Sequence, residues 1–203
     1  QTGHAVALTG KSVEDAVNDG VRQAYENFRK SSVHPLSRKN SGDNTPAIIH
    51  TRVVKGDKVK VSCMMKGFGS ENMSRLFMLT PADGVEGVVE KVVETVKDAG
   101  SCPCPPVILG VGVGGTMEKA AIMSKHALLD DLDKENPDEY LSSLEKEMLE
   151  KINALGIGAE GFRGDVTALR VFIETENTHI AGLPVAVTVQ CHCSRHGERI
   201  IEG

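Results

Sequence analysis

Residues 102–129 constrain the fold more than any other stretch. Cys102-Pro103-Cys104-Pro105-Pro106 is a stiff turn, because each proline fixes φ and removes a backbone donor. It opens onto Val107-Ile108-Leu109, a short apolar run that reads as a buried strand. The chain then passes through Gly110, Gly112, Gly114 and Gly115 into a helical pattern over residues 117–129. Turn, buried strand, glycine loop and helix in that order belong to a sheet covered by helices. Gly110-x-Gly112-x-x-Gly115 also matches the dinucleotide fingerprint, which keeps a nicotinamide-dependent oxidoreductase as an alternative. Two features oppose it. The proline turn stands where a βαβ unit would begin, and the acidic position about 20 residues on falls in residues 130–133, with no strand before it. A more general property survives: amides at a helix N-terminus suit an anion, a carboxylate as well as a phosphate.

The rest of the chain alternates strand and helix signals. Residues 5–8 read as a short strand, and Ser12 caps a helix over residues 13–28. Residues 31–46, rich in Ser, Asn, Gly and Pro, form a long loop. Residues 47–54 and 58–65 read as two strands of a hairpin joined by Lys55-Gly56-Asp57. A glycine loop over residues 66–70 leads to a strand over residues 76–79. Val85, Val88, Val89, Val92, Val93 and Val96 make the buried stripe of a helix. Asn136-Pro137-Asp138-Glu139 starts another helix with Asn136 as cap, ending at Gly156. Residues 166–174 and 185–190 are strands, the second ending directly on Cys191. The prediction is one compact α/β domain over residues 1–203, of mixed or α+β character, with a mixed sheet and flanking helices.

Composition narrows the function. The net charge is −5, basic residues are scattered, and aromatic residues make up 3%, which points away from nucleic acid. No apolar run approaches the roughly 20 residues of a membrane span, so the expectation is a soluble, cytoplasmic protein. Five cysteines, an odd number, argue against a secreted disulfide framework. Cys63 reads as a small core hydrophobe, and His4, His50 and His126 as structural. Cys102, Cys104, Cys191 and Cys193 suit metal: a tetrahedral structural zinc or an iron–sulfur cluster, which spacing does not separate. His179 stands before the strand that ends on Cys191, which sets it apart from the other histidines.

Several motifs together resemble class I fumarate hydratases. Gly100-Ser101-Cys102-Pro103-Cys104-Pro105-Pro106 with the following glycines is similar to the family's second cluster-ligand motif. His179-Ile180-Ala181-x-Leu183-Pro184-Val185-Ala186-Val187 followed by Gln190-Cys191-His192 is similar to the third. Asn40-x-Gly42-Asp43-Asn44-Thr45-Pro46, Lys66-Gly67-x-Gly69-Ser70-Glu71-Asn72, Asn153-x-Leu155-Gly156-Ile157-Gly158-x-x-Gly161 and Thr167-Ala168-Leu169 fit the same pattern in the same order. The resemblance implies the alpha part of a hydro-lyase that hydrates fumarate to malate through a [4Fe–4S] cluster held by three cysteines. Cys104 and Cys191 take two ligand places, with Cys102 and Cys193 as extras. The third ligand is expected just upstream of Gln1, because Gln1-Thr2-Gly3 matches the end of the first ligand motif, without its aspartate. Substrate contacts carry over to Gln1, Arg29, Lys66, Gly67, Gly69 and Ser70, and a catalytic role to His179. The loop at Lys66 favours fumarate over the tartrate of related dehydratases, mesaconate being a further alternative. The implied partners are a beta subunit or C-terminal domain and a small dicarboxylate, in an oligomer.

Overall fold

A computed structural model describes residues 1–193 and 195–202. In chain order it contains β1 (Thr2–Gly3), α1 (Val13–Ala24), β2 (Val53–Val54), β3 (Val59–Met65), α2 (Phe68–Glu71), β4 (Arg75–Leu79), α3 (Gly84–Ala99) and β5 (Val107–Gly114). There follow α4 (Met117–His126), α5 (Glu139–Asn153), β6 (Ala168–Glu176), β7 (Leu183–Gln190) and β8 (Arg195–Ile201). The architecture is mixed α/β, as expected, and it holds two four-stranded sheets rather than one. The chain divides into two compact units: residues 1–61 with the segment from residue 198, and residues 62–197. No helix among the described residues is long and apolar enough to cross a membrane.

The first unit is built around β1. Its sheet runs in the order β2-β1-β3-β8. The expected hairpin is therefore split: β1 lies between β2 and β3, parallel to the first and antiparallel to the second. Residues 5–8, expected as a strand, carry no regular structure, and residues 47–52 join no ladder. Ser12 caps α1 by accepting the Asp15 amide at 3.1 Å, and the helix stops at Ala24 rather than Phe28. The long loop has an internal frame. Asn44 Oδ1 accepts the amides of Ser31 and Ser32 at 2.6 and 3.1 Å, while its Nδ2 donates to the Arg29 carbonyl at 2.9 Å.

Asp43 anchors the same loop. Its carboxylate accepts from the Thr45 hydroxyl at 2.7 Å, Arg22 Nε at 2.8 Å and the Thr45 amide at 3.0 Å, which hold its pKa at about 2. A depressed carboxyl stabilises the fold above its unfolded pKa of about 3.9, and the effect is lost as pH falls through the folded value. The Thr45 amide resonance should therefore titrate with a midpoint at about 2. In Asp43→Asn that titration should vanish. A wild-type midpoint near an ordinary carboxylate value would contradict these bonds.

The second unit is a three-layer sandwich. Its sheet has the order β4-β7-β5-β6, with β6 parallel to β5, and β7 antiparallel to both β5 and β4. On one face α3 and α5 pack Val88, Val89, Val92, Val96, Met148 and Ile152 onto Val107, Leu109 and Val111 of β5 and onto valines of β7. Each fully buried side chain of this size stabilises by about 1.5–3 kcal/mol. Val85, in the first turn of the expected stripe, is instead exposed. On the other face α4 covers β5 and β7, and residues 127–129 continue it as a 3₁₀ turn.

That second face explains the glycines. β5 extends five residues beyond the expected Val107-Ile108-Leu109 strand, so Gly110, Gly112 and Gly114 lie inside it. A Cβ on Gly110 would fall on the Ser124 carbonyl oxygen, and one on Gly112 on that of Ala120. Their absence lets the α4 backbone settle onto the strand. The dinucleotide reading is thus corrected: two of its three glycines serve helix–sheet packing, and the sheet is mixed rather than doubly wound. The cap of α5 is also corrected. Asp138 accepts the Tyr140 and Leu141 amides, whereas Asn136 donates to buried Glu145 at 2.9 Å.

Candidate metal centre

The antiparallel register of β5 and β7 builds the site. Ile108 pairs with Gln190, so the residue after β7, Cys191, and the turn before β5, with Cys104, come to the same end of the sheet. Cys191 is half-buried, and Cys102, Cys104 and Cys193 are exposed. Loss of hydration raises the Cys104 thiol above its ordinary pKa, and the Glu160 carboxylate adds to this, with Cys191, Cys193 and Cys102 acting in the same direction. Cys63 lies elsewhere on the chain and is exposed, so the reading of it as a core hydrophobe does not hold.

Cys104 has a left-handed backbone, φ 55°, and its amide donates to the Ser101 carbonyl at 3.1 Å. His192, next to Cys191, reaches back to the Cys104 carbonyl at 3.0 Å from Nδ1. Buried Gln190 donates from Nε2 to the Met65 carbonyl at 3.0 Å, tying the end of β3 to the end of β7.

The glycine loop lies against this end. A Cβ on Gly69 would stand 3.2 Å from the Cys102 carbonyl oxygen. Residues 68–71 form the single turn α2 rather than an open loop. Lys66 Nζ donates to buried Ser70 Oγ at 2.8 Å, and Ser70 Oγ donates to the Gly67 carbonyl at 2.9 Å. Burial lowers the Lys66 pKa below the usual range, partly opposed by the Glu71 carboxylate 3.4 Å away. Burial works against the Glu71 charge as well, but Lys125 and Lys66 outweigh it and hold its pKa low. Glu71 pairs directly with Lys125 of α4. Sequence reading passed over Lys125 and Glu160. Neither has a local signal, since Lys125 lies 54 positions from Glu71.

Other expected site residues belong to other parts of the chain. Gln1 and Arg29 belong to the first unit and are exposed; the Gln1 ammonium donates to the Lys60 carbonyl at 2.7 Å. His179 stands before β7, at the opposite end from Cys191. The 8 residues of β7 separate them by roughly 25 Å at about 3.3 Å per residue. Within one chain the imidazole thus stands at the other end of β7 from Cys191. His179 Nδ1 accepts the Ala181 amide at 3.2 Å, and its ring lines an open cavity of about 580 Å³ with Gly115, Thr116, Lys119 and Glu176.

Soft thiol donors at an exposed sheet end fit an iron–sulfur cluster. A four-thiolate zinc site needs all four sulfurs around one point. Among the described residues no group of three or more His, Cys, Asp or Glu side chains is assembled to hold an ion.

Known proteins match the chain over most of its length. The profile described as Fumarate hydratase (Fumerase) matches residues 1–200. A Methanocaldococcus jannaschii protein, provisionally named L(+)-tartrate dehydratase subunit alpha, is 44% identical over 199 residues, 95% of this chain and 70% of its own length. The L(+)-tartrate dehydratase alpha subunits of Escherichia coli O157:H7 and K12 are 33% and 32% identical over 163 residues, or 80% of this chain. The match spans 54% of those two relatives, about half their length. With the cysteine turns, the glycine loop and the strands between them all inside the matched region, the chain belongs to the fumarate hydratase (Fumerase) family.

Proposed function

We propose that this chain is the cluster-binding part of a hydro-lyase that adds water reversibly to fumarate, giving malate. The observation that carries the reading is the meeting of Cys104 and Cys191 at one sheet end, beside the loop of Lys66, Gly67, Gly69 and Ser70. Cys104 and Cys191 would supply two thiolates to a [4Fe–4S] cluster, with a third from a cysteine upstream of Gln1. When bound, the cluster supplies a Lewis-acidic iron that makes hydroxide a tolerable leaving group. The chain's own residues bind and orient. The Lys66 ammonium, held by Ser70 and Glu71, and the glycine-loop amides face a substrate carboxylate and stabilise charge that builds on it. Gln1 and Arg29 are assigned to further carboxylate contacts. His179 is left out of the chemistry at its own chain's cysteine end, on the geometry above.

The printed name subunit alpha of the relatives supports a beta subunit or C-terminal domain as partner, and the site is proposed to be completed there, in an oligomer in the cytoplasm. A second reading, dehydration of L(+)-tartrate, is favoured by the printed names of the relatives at 44% and 33% identity. Both substrates are four-carbon dicarboxylates, so one pair of carboxylate contacts serves either. The test is anaerobic reconstitution with iron and sulfide, then assays on fumarate and L(+)-tartrate with and without the partner chain. Fumarate turnover confined to the complex is expected. Faster turnover of tartrate would select the second reading, and a complex that binds iron and sulfide yet transforms neither acid would refute both.

A further inference from the structure

We infer that His192 is a positioning residue for the Cys104 thiol, steadied by Glu160; the inference rests on the assignment of Cys104 and Cys191 as ligands. Cys104 and Glu160 both hold left-handed backbone, φ 55° and 51°. Such conformations cost a non-glycine residue about 1–3 kcal/mol and persist only where the surroundings enforce them.

Three chain segments supply the enforcement. The Cys104 amide donates to the Ser101 carbonyl at 3.1 Å, closing the turn from within. The Glu160 amide donates to the Pro105 carbonyl at 2.7 Å, fastening the 3₁₀ turn Ala159–Gly161 to the same turn. His192 Nδ1 lies 3.0 Å from the Cys104 carbonyl oxygen and 3.4 Å from Glu160 Oε1. The carbonyl can only accept, so Nδ1 carries the proton and the imidazole donates to it, with the Glu160 carboxylate close beside the same N–H. Because His192 follows Cys191 directly, its ring is a strut between the backbone of one ligand and the neighbour of the other. It therefore sets how far apart the two thiols stand. Without it the Cys104 turn is free to relax toward ordinary φ, which swings the thiol away. Partners that orient ligands in this way are worth about 10–100-fold in metal affinity.

The test compares His192→Phe, which fills the space without a donor, with His192→Asn, whose amide can donate near the Nδ1 position. Two quantities are measured. One is the alkylation rate of Cys104 relative to Cys102 in the metal-free full chain, read by mass spectrometry. The other is the rate of iron loss to a chelator from the reconstituted complete enzyme. His192→Phe should change the Cys104 alkylation rate alone and speed iron loss about 10–100-fold, with the melting temperature kept, and His192→Asn should restore both. Wild-type alkylation and iron retention in His192→Phe would overturn the inference, as would failure of His192→Asn to restore them. If His192→Phe does not fold, Glu160→Ala, a change at an exposed side chain, should shift the same two rates in the same direction, and no shift there counts against the strut. If wild-type protein takes up no cluster, the ligand assignment fails, and the alkylation comparison still decides whether His192 holds the turn.

Discussion

Cys104→Ser and Cys191→Ser should each reduce bound iron and sulfide to background, whereas Cys102→Ser and Cys193→Ser should keep near wild-type content. The four residues look alike in sequence, as members of two Cys-x-Cys pairs. The structure separates them. Cys104 is fixed by the closed turn, by its left-handed backbone and by His192; Cys191 sits half-buried at the end of a strand whose last seven residues are buried. Ligand geometry can be maintained at both. Cys102 and Cys193 are exposed beside them. Serine retains the size of cysteine and loses the soft thiolate that iron requires. The measurement is iron and acid-labile sulfide per chain after anaerobic reconstitution of the complete enzyme, with circular dichroism on each variant. An equal fall in all four variants would sink the three-cysteine assignment and favour a double-pair site.

Gly112→Ala should destabilise the second unit by about 3 kcal/mol or more, at the upper end of what overpacking costs. The added methyl falls on the Ala120 carbonyl oxygen and comes within 2.8 Å of the Ser124 amide nitrogen. These are backbone atoms of α4, so no side chain can turn aside, and the whole helix must lift from β5 and β7. That movement would also part Ser124 Oγ from Thr188 Oγ1, a buried hydroxyl pair 2.7 Å apart. Gly182→Ala is the control: no atom lies within 4 Å of its added methyl, and its cost should stay within about 0.5 kcal/mol. Urea unfolding followed by far-UV circular dichroism checks both. A Gly112→Ala variant with the wild-type midpoint would mean that α4 does not rest on the strand as described.

Much of the secondary structure was legible because its signals are local. The valine stripe marked α3, Ser12 marked the start of α1, and β-branched runs marked β6 and β7. Local signals also misled. Lys55-Gly56-Asp57 has the chemistry of a hairpin turn, yet β1 takes the place between the strands, which only long-range pairing decides. The glycines of β5 resemble a phosphate-binding turn, and their role becomes clear only with α4 lying on them.

The sequence by itself determined the family, the cysteine-bearing turns, the glycine loop and the identity of the thiols, because these are ordered runs of residue types with fixed spacing. Only the tertiary structure decided which groups share a site. Cys104 and His192 are 88 positions apart, and Lys125 and Glu71 are 54 apart, so no local period relates them. Antiparallel pairing of β7 with β5 brings Cys191 to Cys104, while the extended length of β7 puts His179 at the far end of the sheet. A strand advances about 3.3 Å per residue, so proximity in sequence along a straight strand becomes distance in space, and the return of the neighbouring strand turns sequence distance into contact.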